Sequence, residues 1–164
     1  MVEFAESQAA ALVIRTLNNM FVFGNRLNLE VSKKMYVEEI RKPYTLKNGE
    51  KSFENFINDR NNRFNTAAQA AKNRLIPPTK ILHFYNVQTT SDDALMDIFS
   101  DANAPFPTNI KWFDSKTSRS PSSGILEFES VEEACEALIM TNNTEVKPDD
   151  GNREFTVKLC FTRN

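Results

Sequence analysis

The sequence predicts an α+β fold in which a four-stranded antiparallel sheet is covered on one side by two helices. One observation is that strands and helices follow each other in the order βαββαβ over residues 79–164. The other is an internal repeat at a single offset of 124 residues, which aligns Met1-Val2-Glu3-Phe4 with Ile125-Leu126-Glu127-Phe128 and Asn18-Asn19 with Asn142-Asn143. A repeat marks a recurring structural unit. The chain is therefore predicted to hold one whole domain and the back half of another.

The first copy, residues 1–33, is predicted to be an incomplete β-α-β remnant. Val2-Glu3-Phe4 would end a strand, and apolar residues at helical spacing predict a helix over residues 6–18. After a turn at Gly24-Asn25, apolar and polar residues alternate from Leu27 to Val31, which predicts a strand with one solvated face. We expect this remnant to lack a competent binding site of its own, because nothing in the chain corresponds to the first half of its unit.

Residues 34–78 are predicted to be an interdomain linker with short helices. Pro43, Asn48-Gly49 and Pro77-Pro78 interrupt any long regular element. Thr66 is suited to cap a short alanine-rich helix that would extend through Arg74.

Residues 79–164 are predicted to be the complete domain. Strands are expected at residues 81–87, 110–113, 124–128 and 155–161, where apolar residues cluster or alternate. Helices are expected after the first and third of these strands, with Ser91 and Ser130 as their capping residues. This order is the ferredoxin-like βαββαβ plan, which leaves one face of the sheet uncovered by helices.

Composition and charge narrow the function. The net charge of −2 is divided unevenly, since residues 1–78 carry 12 basic and 8 acidic side chains and residues 79–164 carry 8 basic and 14 acidic ones. Binding that depended on phosphate neutralisation alone would favour a basic domain. Two cysteines and a single histidine offer neither a disulfide framework nor a metal-ligand cluster, so we expect no metal or cofactor.

The predicted strands carry motifs that resemble the RNA recognition motif, in particular its hnRNP L and polypyrimidine-tract-binding branch. The first strand, Leu82-His83-Phe84-Tyr85-Asn86-Val87, resembles that family's hexamer, and Leu126-Glu127-Phe128 resembles the end of its octamer. The linker run Arg60-Asn61-Asn62-Arg63-Phe64 is similar to the segment between the third and fourth motifs of hnRNP L. The resemblance implies an open sheet that stacks unpaired bases on exposed rings.

Strand alternation then selects the candidate RNA-binding residues. Because Leu82 and Phe84 should face the helices, their strand neighbours should face the ligand, and the same reasoning applies to the other strands. The predicted set is His83, Tyr85, Lys111, Phe113, Ser123, Ile125, Glu127, Lys158, Cys160 and Arg163. Ser123 and Ile125 occupy octamer positions where common family members have aromatic rings, which predicts weaker stacking.

The resemblance implies a nuclear, non-enzymatic protein that binds CA-rich single-stranded pre-messenger RNA in splicing, with other splicing or hnRNP proteins as further partners. Shuttling to the cytoplasm stays open, and we expect neither a membrane nor a small-molecule partner. The alternative is a protein-interaction module that uses its helical face or linker. An acylphosphatase-type enzyme would need a phosphate-cradling loop after the first strand, where this chain has only Gln88-Thr89-Thr90.

Overall fold

The computed structural model describes residues 1–47, 49–59, 62, 66, 68, 76–88, 91–114, 121–147 and 154–162. These form two compact units. Unit 1 comprises Met1–Asn18 and Leu29–Leu75, and unit 2 comprises Asn19–Asn28 and Ile76–Asn164. The predicted helix from Thr66 to Arg74 lies almost entirely outside the described residues.

The predicted helix of the first copy is present in unit 1, but neither of the two strands predicted for that copy forms. Helix α1 spans Ser7–Leu17. Residues 2–4 and 27–31 form no strand, so the prediction of strands there was wrong. The backbone hydrogen bonds of a helix are formed within the helix itself, whereas a strand needs a neighbouring strand as its partner. Among the described residues, no neighbouring strand pairs with either of these two segments.

The sheet of unit 2 confirms the predicted ferredoxin-like α+β fold. Its strands are β3 (Ile81–Val87), β4 (Asn109–Trp112), β5 (Ser122–Glu127) and β8 (Lys158–Phe161), in the spatial order β4-β5-β3-β8 with antiparallel pairing throughout. Helices α2 (Asp92–Asp101) and α3 (Val131–Thr141) lie in the chain after β3 and β5. A further hairpin, β6 (Glu145–Val146) with β7 (Phe155–Thr156), precedes β8.

The core of unit 2 lies between the sheet and its two helices. Alternate strand residues are fully buried, and α2 and α3 contribute the opposing apolar side chains; the central members are Leu82, Phe84, Leu126, Phe128, Leu159, Leu95, Phe99, Ala134 and Ala137. Both helices begin at the predicted capping residues. The hydroxyl of Ser91 accepts a hydrogen bond from the backbone amide of Ala94, and the hydroxyl of Ser130 accepts one from the backbone amide of Glu133. Their caps and apolar faces therefore fix which side of the sheet is covered.

Gly124 allows β4 and β5 to pack closely over Phe84. A Cβ atom at this position would overlap the Lys111 carbonyl oxygen and lie only 2.7 Å from the Phe84 ring. Phe84 also meets the Trp112 ring edge-on, with centroids 4.8 Å apart. Trp112 belongs to the core side of the sheet as predicted, and its Nε1 donates to Asp92 of α2 over 2.6 Å.

A second hairpin, β1 (Phe21–Val22) with β2 (Asn25–Arg26), packs on α3 within unit 2. The amide of Phe23 donates to the carboxylate of Glu136 over 2.6 Å, and the sulfur atoms of Met20 and Cys135 are 3.8 Å apart. Val22 and Cys135 are both buried. Burial, together with the nearby carboxylates Glu132 and Glu136, raises the pKa of the Cys135 thiol to about 11.

Candidate nucleic-acid interface

The face of the sheet away from the helices carries nine of the ten predicted site residues. The buried residues of β3, β5 and β8 alternate with half-buried ones, as the predicted side-chain directions require. The residues on this open face are His83, Tyr85, Lys111, Phe113, Ser123, Ile125, Glu127, Lys158 and Cys160. The tenth, Arg163, lies outside the described residues.

His83 stands at the centre of this face, on the strand between β5 and β8. Its Cα partner across β5 is Ile125, and its Cα partner across β8 is Cys160. The imidazole lies 5.7 Å from the Phe113 ring and 5.5 Å from the Tyr85 ring, measured between centroids. The three rings are tilted by 38–49° and form no closed stack among themselves, so a planar group can be placed against them.

A shallow depression of about 360 Å³ opens beside these rings. Four of the predicted site residues line it: His83, Phe113, Ile125 and Cys160. An aliphatic floor with ring walls is suited to a flat, largely apolar ligand such as a nucleobase.

Three further residues line the depression although no sequence pattern predicted them there: Ile76, Phe161 and Thr162. The segment that leads into β3 is held there because the Thr79 hydroxyl donates to the carbonyls of Ile81 and Thr162. Ile76 follows from no motif in the sequence, since its position depends on this contact between the start of β3 and the end of β8. The strand alternation assigned Phe161 to the core side, and it packs there in part while also reaching the depression.

The remaining predicted residues lie around the central cluster rather than in it. Tyr85 pairs with Lys158 toward one end of the sheet, and Lys111 pairs with Ile125 on the β4 side. Glu127 lies at the opposite end, where its carboxylate contacts the ammonium of Lys80 over 2.6 Å. The carbonyl of Ser123 accepts from the amide of Phe113, which places that ring just beyond the end of β4.

The electrostatics of the face differ from those of the helices behind it. Burial lowers the pKa of His83, which favours the uncharged imidazole ring over its protonated form. Lys111 is exposed and Lys158 is half-buried on the same face. Helices α2 and α3 carry no lysine or arginine; their charged residues are Asp92, Asp93, Asp97, Asp101, Glu132, Glu133 and Glu136. The negative charge of this half of the chain is thus concentrated on its helical side.

Two family models match parts of this chain. The family model described as "RRM domain" matches residues 72–164, and the one described as "RNA recognition motif (a.k.a. RRM, RBD, or RNP domain)" matches residues 1–59. Heterogeneous nuclear ribonucleoprotein L of Homo sapiens and that of Mus musculus are each 39% identical to this chain over 163 residues, which is 99% of this chain. The chain spans 27% and 28% of the length of these two relatives.

Among solved structures, the RNA15 RRM matches 53% of this chain and 93% of its own, with 20% identity and a TM-score of 0.40. The Sxl-lethal protein/RNA complex matches 98% of this chain and 71% of its own, with 19% identity and a TM-score of 0.38. None of the helices in the described part of the chain is long and apolar enough to cross a membrane.

Proposed function

Because the chain belongs to the RNA recognition motif family, we propose that the open sheet face of residues 79–164 binds single-stranded RNA. The observation that carries the proposal is the cluster of His83 and Phe113 beside a depression on the face of the sheet opposite α2 and α3. Unpaired bases stack on such rings, whereas a paired duplex keeps its bases stacked on each other. Each base–ring stack contributes roughly 1–3 kcal/mol.

The proposed roles follow from the position of each residue on the face. His83, Phe113 and Ile125 would hold one base in the depression, with Tyr85 as the platform for a neighbouring base. Lys111 and Lys158 would contact phosphate groups. The remaining proposed RNA-binding residues would lie along the path of the bound RNA strand: Ser123, Cys160, Glu127 and Arg163.

The proposal extends to the cellular role. We propose a non-enzymatic nuclear protein that acts in pre-messenger RNA splicing and prefers CA-rich sequences. The support is the 39% identity to proteins named heterogeneous nuclear ribonucleoprotein L, together with the linker run that resembles that branch. The proposed division of the chain is an incomplete copy at 1–33, a linker at 34–78 and a complete domain at 79–164.

The test is the double variant His83→Ala/Phe113→Ala in the full chain, with binding to a fluorescent single-stranded (CA)n oligonucleotide followed by anisotropy. Loss of even one stack predicts an affinity about 5- to 150-fold lower. Phe23→Ala is the matched control, because Phe23 has a similar exposed fraction (50%, against 45% for Phe113) but lies on the hairpin that packs on α3. Its RNA affinity should be unchanged.

The same experiment separates the alternative function. A double variant that keeps its circular dichroism spectrum and binds every oligonucleotide as tightly as the parent chain would overturn the RNA proposal and favour a protein-interaction module. Selection from a random single-stranded pool then tests the sequence preference: enrichment of CA repeats is expected, and a flat pool would contradict the proposed specificity.

A further inference from the structure

Two consecutive asparagines follow helix α1 in the first copy and helix α3 in the second. Both asparagine pairs adopt the same backbone conformation. Asn18 and Asn142 are extended at the C-caps of α1 and α3, and Asn19 and Asn143 follow with φ of 68° and 70°. Asparagine tolerates this left-handed region better than most residues with a side chain. The repeat seen in the sequence is therefore also a repeat of local geometry.

In both copies the asparagine pair holds a later segment of its own copy in the same way. The Asn18 side-chain oxygen accepts from the amide of Leu29, as that of Asn142 accepts from Leu159, each over 2.9 Å. The Asn19 amide donates to the Leu27 carbonyl over 2.8 Å.

In the second copy, the Asn143 amide donates to the Val157 carbonyl over 2.9 Å. These contacts make Leu27 equivalent to Val157 and Leu29 equivalent to Leu159. The residues between them, Asn28 and Lys158, therefore occupy equivalent positions.

The two copies differ in what stands at that position. Only the second copy has a lysine there, and the ammonium of Lys158 donates to the side-chain oxygen of Asn143 over 2.5 Å. Lys158 lies on the open face, opposite Tyr85. Asn143 is neutral, so this hydrogen bond does not itself neutralise the lysine charge, whereas Lys80 contacts the charged carboxylate of Glu127. The hydrogen bond restricts a long flexible side chain whose immobilisation otherwise opposes binding.

From this arrangement we propose that Asn143 is a positioning residue, which holds the ammonium of Lys158 next to Tyr85 for contact with an RNA phosphate. The inference rests on the proposed RNA binding and deepens it. Asn143 contacts no RNA itself; it lowers the entropic cost of ordering Lys158. A compact ammonium is suited to a phosphate oxygen, and single-stranded RNA brings a phosphate with each base.

The test is Asn143→Gly in the full chain, with a fluorescent (CA)n oligonucleotide as probe. Glycine can adopt the same positive φ and keeps the backbone N–H that donates to the Val157 carbonyl, but it lacks the side-chain oxygen that accepts from Lys158. The expected RNA affinity is about 2- to 10-fold lower, the cost of ordering one released side chain. Asn19→Gly is the matched control, because it makes the same change at φ 68° where Asn28 replaces the lysine. It should leave the affinity unchanged.

Two further measurements separate positioning from a structural role. Lys158→Gln should reduce the slope of log K against log salt by about 0.7, as one lost phosphate contact predicts. In the Lys158→Gln background, Asn143→Gly should have no additional effect on affinity. An equal loss in both backgrounds, or an equal loss with Asn19→Gly, would overturn the inference. If Asn143→Gly binds as the parent does while His83→Ala/Phe113→Ala does not, the inference fails and the proposed function stands.

Discussion

Replacing Ile125 with phenylalanine should strengthen RNA binding, and a gain in affinity is difficult to produce by damaging the fold. Ile125 is the direct cross-strand partner of His83 and lines the open depression. Side chains opposite each other in antiparallel strands have Cβ atoms about 4.5–5.5 Å apart, so a new ring would stand beside the imidazole. It would add a platform on a surface that has open space.

The magnitude follows from the energy of a base–ring stack, about 1–3 kcal/mol. Ile125 already supplies apolar contact, so the net gain should lie near the lower end, about 1 kcal/mol or roughly fivefold in affinity. The stability should change little, because the position is half-buried on the open face and phenylalanine is as favourable in strands as isoleucine. Anisotropy titration with a fluorescent (CA)n oligonucleotide measures the affinity, and urea denaturation measures the stability.

Ile139→Phe is the matched control. Ile139 is 57% exposed on α3, on the helical side of unit 2, so the same substitution adds the same ring away from the proposed site. Its RNA affinity should equal that of the parent chain. The reasoning is refuted if Ile125→Phe folds normally and binds no tighter, or if both variants gain equally, since nonspecific apolar contact would then explain the gain.

Two predictions concern the packing behind the site. Gly124→Ala should lower the free energy of unfolding by about 1–3 kcal/mol, because its Cβ would overlap the Lys111 carbonyl oxygen and lie 2.7 Å from the Phe84 ring; a urea midpoint equal to that of the parent would contradict this. The raised pKa of Cys135, about 11 against 9.0 for a free thiol, means that its contribution to stability is complete below pH 9 and is lost as the pH rises through 11. Iodoacetamide labelling with mass spectrometry at pH 8 should therefore modify the half-buried Cys160 well before Cys135, and equal rates would show that the β1–β2 hairpin does not protect α3.

The sequence was sufficient to assign side chains to the two faces of the main sheet. Strand alternation is a local property, so the outward direction of His83 and the burial of Phe84 follow from their order in the chain. The depression was less predictable, because Ile76 reaches it through a contact between the start of β3 and the end of β8. Contacts between distant segments leave no periodic signal in a single sequence.

The first copy shows that an alternating sequence pattern is not sufficient to form a strand. Residues Leu27 to Val31 alternate as a strand should, and the equivalent segment of the second copy contains β8, yet residues 27–31 form no strand. The pattern specifies which face would be buried but cannot supply a partner. The hydrogen bonds of the asparagine pair are present in both copies, because each joins residues fewer than about 20 positions apart in the chain.

The separation of charge in residues 79–164 bears on how such a domain would select its ligand. With seven carboxylates on α2 and α3, the field of this half attracts a polyanion only weakly, so phosphate contacts alone would give little affinity. Base stacking on His83, Tyr85 and Phe113 must then supply most of the binding energy. Stacking on these rings favours unpaired bases over the bases of a duplex. When few phosphate contacts are available, each well-positioned lysine on the open face contributes a larger share of the RNA affinity. We therefore expect the contact between Asn143 and Lys158 to affect RNA affinity more here than it would on a strongly basic surface.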